Sequence, residues 1–125
     1  MLSDITPVAT LPTADMARAR GFYERTLGLT PQREGMGGVS YACGDGTVFV
    51  YESQYAGTNK ATAVTWPVDN VEDEVRTLKS KGVAFEHYDL PELKLQGDVH
   101  VAEGADMKVA WFKDPDGNIF SIVNR

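Results

Sequence analysis

The feature that most constrains this chain is an internal repeat. Leu11-Pro12, Asp15, Met16, Tyr23 and Gly28 recur in the same order as Trp66-Pro67, Asn70, Val71, Leu78 and Gly82, with one residue dropped in the second helix. Each copy reads as a strand, a proline, a helix-capping residue, an amphipathic helix and a glycine stop, and self-similarity of this kind marks two copies of one structural unit. The strands of one copy are too few to bury two faces alone, so the copies must pair. The expectation is an α+β fold: one cupped sheet with its helices outside and a pocket inside. With 125 residues the chain reads as a single domain, 1–125, with repeat unit one at about 5–53 and unit two at about 62–125.

The local signals fill in the units. Residues 5–11 read as a strand ended by Pro12, and Asp15 caps a helix whose inward positions are Met16, Ala19, Phe22, Tyr23 and Leu27. Residues 35–38, Gly-Met-Gly-Gly, read as a flexible connection of turn glycines, since no helix follows that would make them a phosphate loop. Strands at 39–43 and 47–52 flank Gly44-Asp45-Gly46, a hairpin signal. After a polar linker at 53–62, a strand at 63–68 leads into a helix capped by Asp69 or Asn70, with Val71, Val75 and Leu78 inward. Residues 83–88 read as a strand and 89–107 as a long polar connection, either a flap or a disordered surface loop. The chain closes on a hairpin: Asp114-Pro115-Asp116-Gly117 suits a tight turn, with apolar runs at 109–112 and 119–123 on either side.

The net charge of −6 argues against nucleic acid or an anionic membrane as the main partner. Cys43, the only cysteine, sits in a strand-like run and reads as a small buried hydrophobe. The opening residues lack the basic start and apolar run of a signal peptide, and no stretch reaches membrane-spanning length, so the expected compartment is the cytoplasm.

Three stretches carry a family likeness: residues 15–29, from Asp15 through Gly21-Phe22-Tyr23 to Leu27-Gly28-Leu29; Val68-Asp69-Asn70-Val71 with Lys81-Gly82-Val83; and residues 112–121, Phe-Lys-Asp-Pro-Asp-Gly-Asn-Ile-Phe-Ser. With them the chain resembles the vicinal oxygen chelate superfamily, the group of glyoxalase I, bleomycin-resistance proteins and extradiol dioxygenases. The resemblance implies paired βαβββ units forming an open, cupped barrel, and a homodimer. It also implies where metal-using members would place their ligands: on the first strand at Val8, on the first strand of the second unit at Ala63, and three residues past Asn118 at Ser121. None of these can chelate a divalent ion as the family does, and a further position near Tyr51 or Glu52 supplies at most one carboxylate. The expectation is therefore no metal and no cofactor.

If Val8, Ala63 and Ser121 face the pocket, strand parity adds Thr10, Thr65 and Ile119. On the strand before the last turn, the family pattern buries Phe112 beneath the helices and so turns Trp111 inward. The expected ligand-binding residues are Tyr41, Phe49, Tyr51, Thr65, Trp111 and Ser121, an aromatic enclosure for a small aromatic or amphipathic molecule. The alternative is a metal-independent isomerase, epimerase or lyase using His100, Tyr51 or Glu52 for proton transfer. A metal-dependent lyase or dioxygenase, or a structural role, completes the field. A scaffold of this kind does not by itself decide among them.

Overall fold

The computed structural model describes every residue except Ala105. The chain divides into two compact units, Met1–Asn59 with Asp114–Asn118, and Lys60–Lys113 with Ile119–Arg125. In the first, β1 (Val8–Thr13) leads into α1 (Met16–Arg20), which continues as a π-helical turn over Gly21–Thr26, and β2 (Thr30–Gly35), β3 (Gly38–Cys43) and β4 (Gly46–Glu52) follow. The sheet runs β1-β4-β3-β2, with β1 parallel to β4 and the rest antiparallel. In the second, β5 (Thr62–Val68) and α2 (Val71–Ser80) precede β6 (Phe85–Glu86), β7 (Leu93–Gln96), β8 (Val99–Ala102), β9 (Met107–Lys113) and β10 (Ile119–Asn124). This sheet runs β5-β10-β9-β8-β7, and β6 shares an edge of β9. Its one parallel pair is β10 with β5. The fold is α+β, with two mixed sheets.

Both helices begin as the repeat predicts. Asp15 accepts from the Arg18 amide at 3.1 Å and Asn70 from the Asp73 amide at 3.0 Å. The residue by which the repeats differ falls between Tyr23 and Gly28, and there the helix widens to π geometry, with the Leu27 amide bonding Phe22 O at 2.9 Å. A π turn holds one more residue than an α turn, so the extra residue is absorbed without moving Tyr23 or the Gly28 stop.

Three local expectations need correction, and one strand carried no signal at all. Pro12 lies inside β1 rather than ending it, opposite Tyr51. That is possible because β1 is an edge strand, where a missing N–H breaks no ladder; Pro31 and Pro67 also lie on edge strands. Residues 30–35 are a strand with every residue exposed, so hydrophobic alternation could not reveal it. The stretch 35–38 is then a tight turn, with Met36 and Gly37 both left-handed at φ 55 and 76. The connection from 89 holds regular structure in place of a disordered loop: residues 93–96 pair with 99–102 as the β7–β8 hairpin around Gly97-Asp98. The expected strand at 83–88 shrinks to Phe85–Glu86.

Alternation along the strands separates the faces. In unit one, Leu11, Val39, Tyr41, Val48 and Val50 are buried with Ala19 and Tyr23 of the helix. In unit two, Ala110, Phe112, Phe120 and Ile122 are buried on one face and His100, Val109 and Ser121 on the other; Lys108, on the first face, pairs with Glu72 of α2 at 2.7 Å, which marks it as the helix side. The β7–β8 turn is tied down by Asp98, which accepts from Lys79 Nζ at 2.6 Å and lies 2.7 Å from His87 Nε2. The Lys79 bond first, then that to His87, holds the Asp98 carboxyl below the usual carboxylate range. A carboxylate whose pKa falls on folding stabilises the fold above its unfolded pKa, near ~3.9, and the gain is lost as pH falls through the folded value. Asp98→Asn is expected to cost up to about 1 kcal/mol at neutral pH, with the deficit shrinking as the pH falls below the unfolded carboxylate value of ~3.9. Urea unfolding at neutral and acid pH checks this, and a deficit unchanged in acid would contradict it.

Candidate ligand-binding site

In each unit, the sheet face opposite the helix carries most of the residues singled out from sequence. On unit one, register places Val8, Thr10 and Pro12 beside Thr47, Phe49 and Tyr51, with Gly38 and Ser40 on the next strand. The Phe49 and Tyr51 rings stack at 6.0 Å and 2°. Phe49 lies across Gly38: a Cβ there would stand 2.7 Å from the ring and 2.3 Å from Val50 O, so only glycine fits.

Tyr41 does not join them. It pairs with Val48, one residue out of phase with Phe49, and is fully buried on the helix face. There it stacks on Tyr23 at 5.8 Å and donates to Glu24 Oε2 at 2.8 Å. Burial first, then the Glu24 bond, pushes its hydroxyl well above the ordinary tyrosine value, so it stays a donor. Glu52, exposed, follows Tyr51 on the strand and so projects to the opposite face.

The closing turn also belongs to unit one, and its polar groups are structural. Asp114 Oδ2 accepts from Tyr23 Oη at 2.6 Å and Asn118 Nδ2 at 2.8 Å, while Oδ1 accepts from the Asp116 and Asn118 amides. Asp116 accepts from Thr13 Oγ1 at 2.6 Å and the Ala14 amide at 2.9 Å. Burial, reinforced by Asp114, raises Tyr23 far above its ordinary range.

On unit two, Ser121 stands opposite both Thr65 and Trp111. Its hydroxyl lies 2.7 Å from Thr65 Oγ1. Trp111 is half-buried and meets the rings of His100 at 4.8 Å and Tyr88 at 5.1 Å edge to face. The neighbouring Phe112 is buried on the helix side against Trp66, Phe85 and Phe120. The structure thus groups Thr65, Ser121 and Trp111 on one face, and Phe49 with Tyr51 on another.

His100 is not exposed; it is 0 % accessible and lies on the Trp111 face through its pairing with Val109. Its Nε2 receives the Tyr88 amide N–H at 3.0 Å. That nitrogen must carry a lone pair, so the neutral ring bears its hydrogen on Nδ1. With Nε2 already accepting and Nδ1 protonated, the ring offers a hydrogen-bond donor and has no free lone pair for the general-base role. Tyr88 was not among the residues expected from sequence; its signal was an aromatic at the end of the short strand run at 83–88. Farther along the same face, Leu93, Ala102 and Met107 join Leu90, Pro91 and Glu92 around an open, mostly apolar cavity of about 370 Å³.

The residues at the family's ligand positions do not fit a metal ion. Val8 and Ala63 have no donor side-chain atoms, and the hydroxyl of Ser121 is engaged with Thr65. Among the described residues no three His, Cys, Asp or Glu side chains gather as a metal-binding group. No described helix is long and apolar enough to cross a membrane.

Residues 5–122 match the family model of the Glyoxalase/Bleomycin resistance protein/Dioxygenase superfamily. The chain belongs to that superfamily. Among solved structures it is similar to a bleomycin resistance determinant encoded on the transposon Tn5, at 19 % identity and TM-score 0.70, covering 96 % of this chain and 97 % of that one. It is also similar to lactoylglutathione lyase from Agrobacterium tumefaciens, at 15 % identity and TM-score 0.67, covering 94 % and 90 %. An integron cassette protein from the mobile metagenome of Halifax Harbour Sewage Outfall aligns at 17 % identity and TM-score 0.68, covering 96 % and 97 %. At these identities the likeness establishes the fold alone. A search of curated proteins found no match to the sequence.

Proposed function

We propose that this protein binds a small aromatic or amphipathic molecule without a metal ion, on the Trp111 face of its second unit. The observation that carries this reading is the division of labour along β9 and β10. Phe112 and Phe120 fill the core, whereas Trp111 stays half-buried beside the Thr65–Ser121 hydroxyl pair. A large aromatic next to a few fixed polar groups is the usual composition of a small-molecule site. Ser121 stands where a metal-using relative would carry glutamate, and its hydroxyl gives neutral hydrogen bonding in place of chelation. The assembly is a cytoplasmic homodimer on the same reading.

Chelator-treated protein screened by thermal shift against aromatic metabolites and drug-like compounds tests it. A binder at a hundred times its Kd adds about 2.7 kcal/mol of stability. The expected result is a Tm increase that needs no added metal and is lost in Trp111→Ala. Stabilisation that appears only after a divalent ion is restored, or none across the library, would overturn the reading.

A further inference from the structure

His100 Nδ1 is buried and, among the described residues, has no hydrogen-bond partner. Leaving a buried donor unpaired costs about 1–3 kcal/mol, so an orphan of this kind calls for an explanation. The Tyr88 amide holds the ring in place by its other nitrogen, which makes the free donor fixed rather than incidental.

The location supplies the explanation. On this sheet Leu95, His100 and Val109 form one cross-strand row, and Leu93, Ala102 and Met107 form the next row on the same face. Rows two residues apart along a strand are about 7 Å apart. The second row lines the apolar cavity, so the orphan donor belongs to the row next to it. Glu92 at the cavity places a negative charge against any anionic ligand, and the chain as a whole carries −6.

The geometry points to a ligand with an apolar body and one uncharged carbonyl oxygen: the body lies in the cavity of Leu90, Leu93, Ala102 and Met107, and the oxygen accepts the His100 Nδ1 hydrogen. This rests on the ligand-binding reading above and specifies its chemistry. His100 is covered when the site is empty, and the oxygen reaches it by turning aside Leu95, which lies directly opposite and is 44 % exposed. His100 then acts as a specificity residue. A site built around a buried donor discriminates against the analogue that lacks the acceptor, because that analogue leaves the donor orphaned.

The test titrates isotope-labelled protein with acetophenone, ethylbenzene and benzoate, following the Leu93, Ala102 and Met107 amides and the imidazole Nδ1–H by NMR. Acetophenone and ethylbenzene are close in shape, and apolar transfer alone favours ethylbenzene. The expected result is acetophenone binding about tenfold tighter than ethylbenzene, equivalent to ~1.4 kcal/mol, with benzoate weakest and the Nδ1–H resonance moving with acetophenone. In His100→Met, the thioether sulfur can still weakly accept the Tyr88 amide while no side-chain donor remains, and the two neutral probes should come within about twofold of each other. The Nδ1–H shift in wild-type protein stands as evidence even where the variant folds poorly. Equal binding of acetophenone and ethylbenzene, or acetophenone binding with a stationary Nδ1–H, overturns this inference and leaves the ligand-binding reading intact. Failure of all three probes also overturns it; only when the thermal-shift library is silent too does the broader reading fall with it.

Discussion

Asp114→Ala should destabilise the protein by about 2–6 kcal/mol, the cost of leaving two buried polar side chains without their hydrogen-bond acceptor. One carboxylate answers four donors: the Tyr23 hydroxyl, the Asn118 amide side chain, and two backbone N–H groups of the closing turn. Alanine strands the buried Tyr23 hydroxyl and Asn118 together, and each unsatisfied group costs about 1–3 kcal/mol. Against a total stability of about 5–15 kcal/mol, that loss brings the domain near unfolding. Asp114→Asn should fall between. Its oxygen can still serve the two backbone amides, but its NH2 then faces the Asn118 NH2 and that bond is lost. Urea midpoints of the three proteins measure this order, and an alanine variant within about 1 kcal/mol of wild type would show that the turn is not held as described.

Phe112→Ala is expected to cost a similar amount, about 3–5 kcal/mol, for a different reason. Phe112 is 1 % exposed and contacts the Trp66, Phe85 and Phe120 rings, so truncation leaves a cavity that three rigid neighbours cannot collapse into. For a chain of this length, that corresponds to a Tm lower by roughly 10–20 °C. Phe112→Leu, which refills most of the volume, should recover much of it. Thermal unfolding followed by circular dichroism decides the matter; an alanine variant that melts within a few degrees of wild type would place the centre of this core elsewhere.

How much of this was legible in the sequence depended on which physical signal each segment carried. Capping and glycine stops are chemical constraints on single residues, so Asp15, Gly28, a second cap at Asp69 or Asn70 and the hairpin around Gly44-Asp45-Gly46 could be read directly; the structure places that cap at Asn70. The strand at 30–35 could not, because an edge strand exposed on both faces has no alternation to detect. The β7–β8 hairpin did leave a trace, Leu93-Lys94-Leu95-Gln96 followed by Gly97-Asp98, but four-residue strands are short enough to pass for a loop.

The site residues divided in the same way. Parity along single strands correctly grouped Val109 with Trp111 and set Phe112 apart, since alternation within a strand needs no knowledge of its neighbour. Placing Tyr41 with Phe49 required the cross-strand register of β3 against β4, which a one-residue slip reverses. The burial of His100 and its bond to the Tyr88 amide depend on chain segments whose pairing the sequence did not disclose.

The proposed ligand occupies the Trp111 face without a metal. The chain has two tryptophans, and they lie on opposite faces of one sheet: Trp111 beside Ser121, and Trp66 packed on Phe112 and Phe120. Their two indole N–H resonances therefore form an internal comparison within one spectrum. In chelator-treated protein, a compound that raises Tm should shift the Trp111 indole signal and leave that of Trp66 in place. A stabilising compound that moves Trp66 alone, or one that moves Trp111 only once a divalent metal is added, would contradict the account.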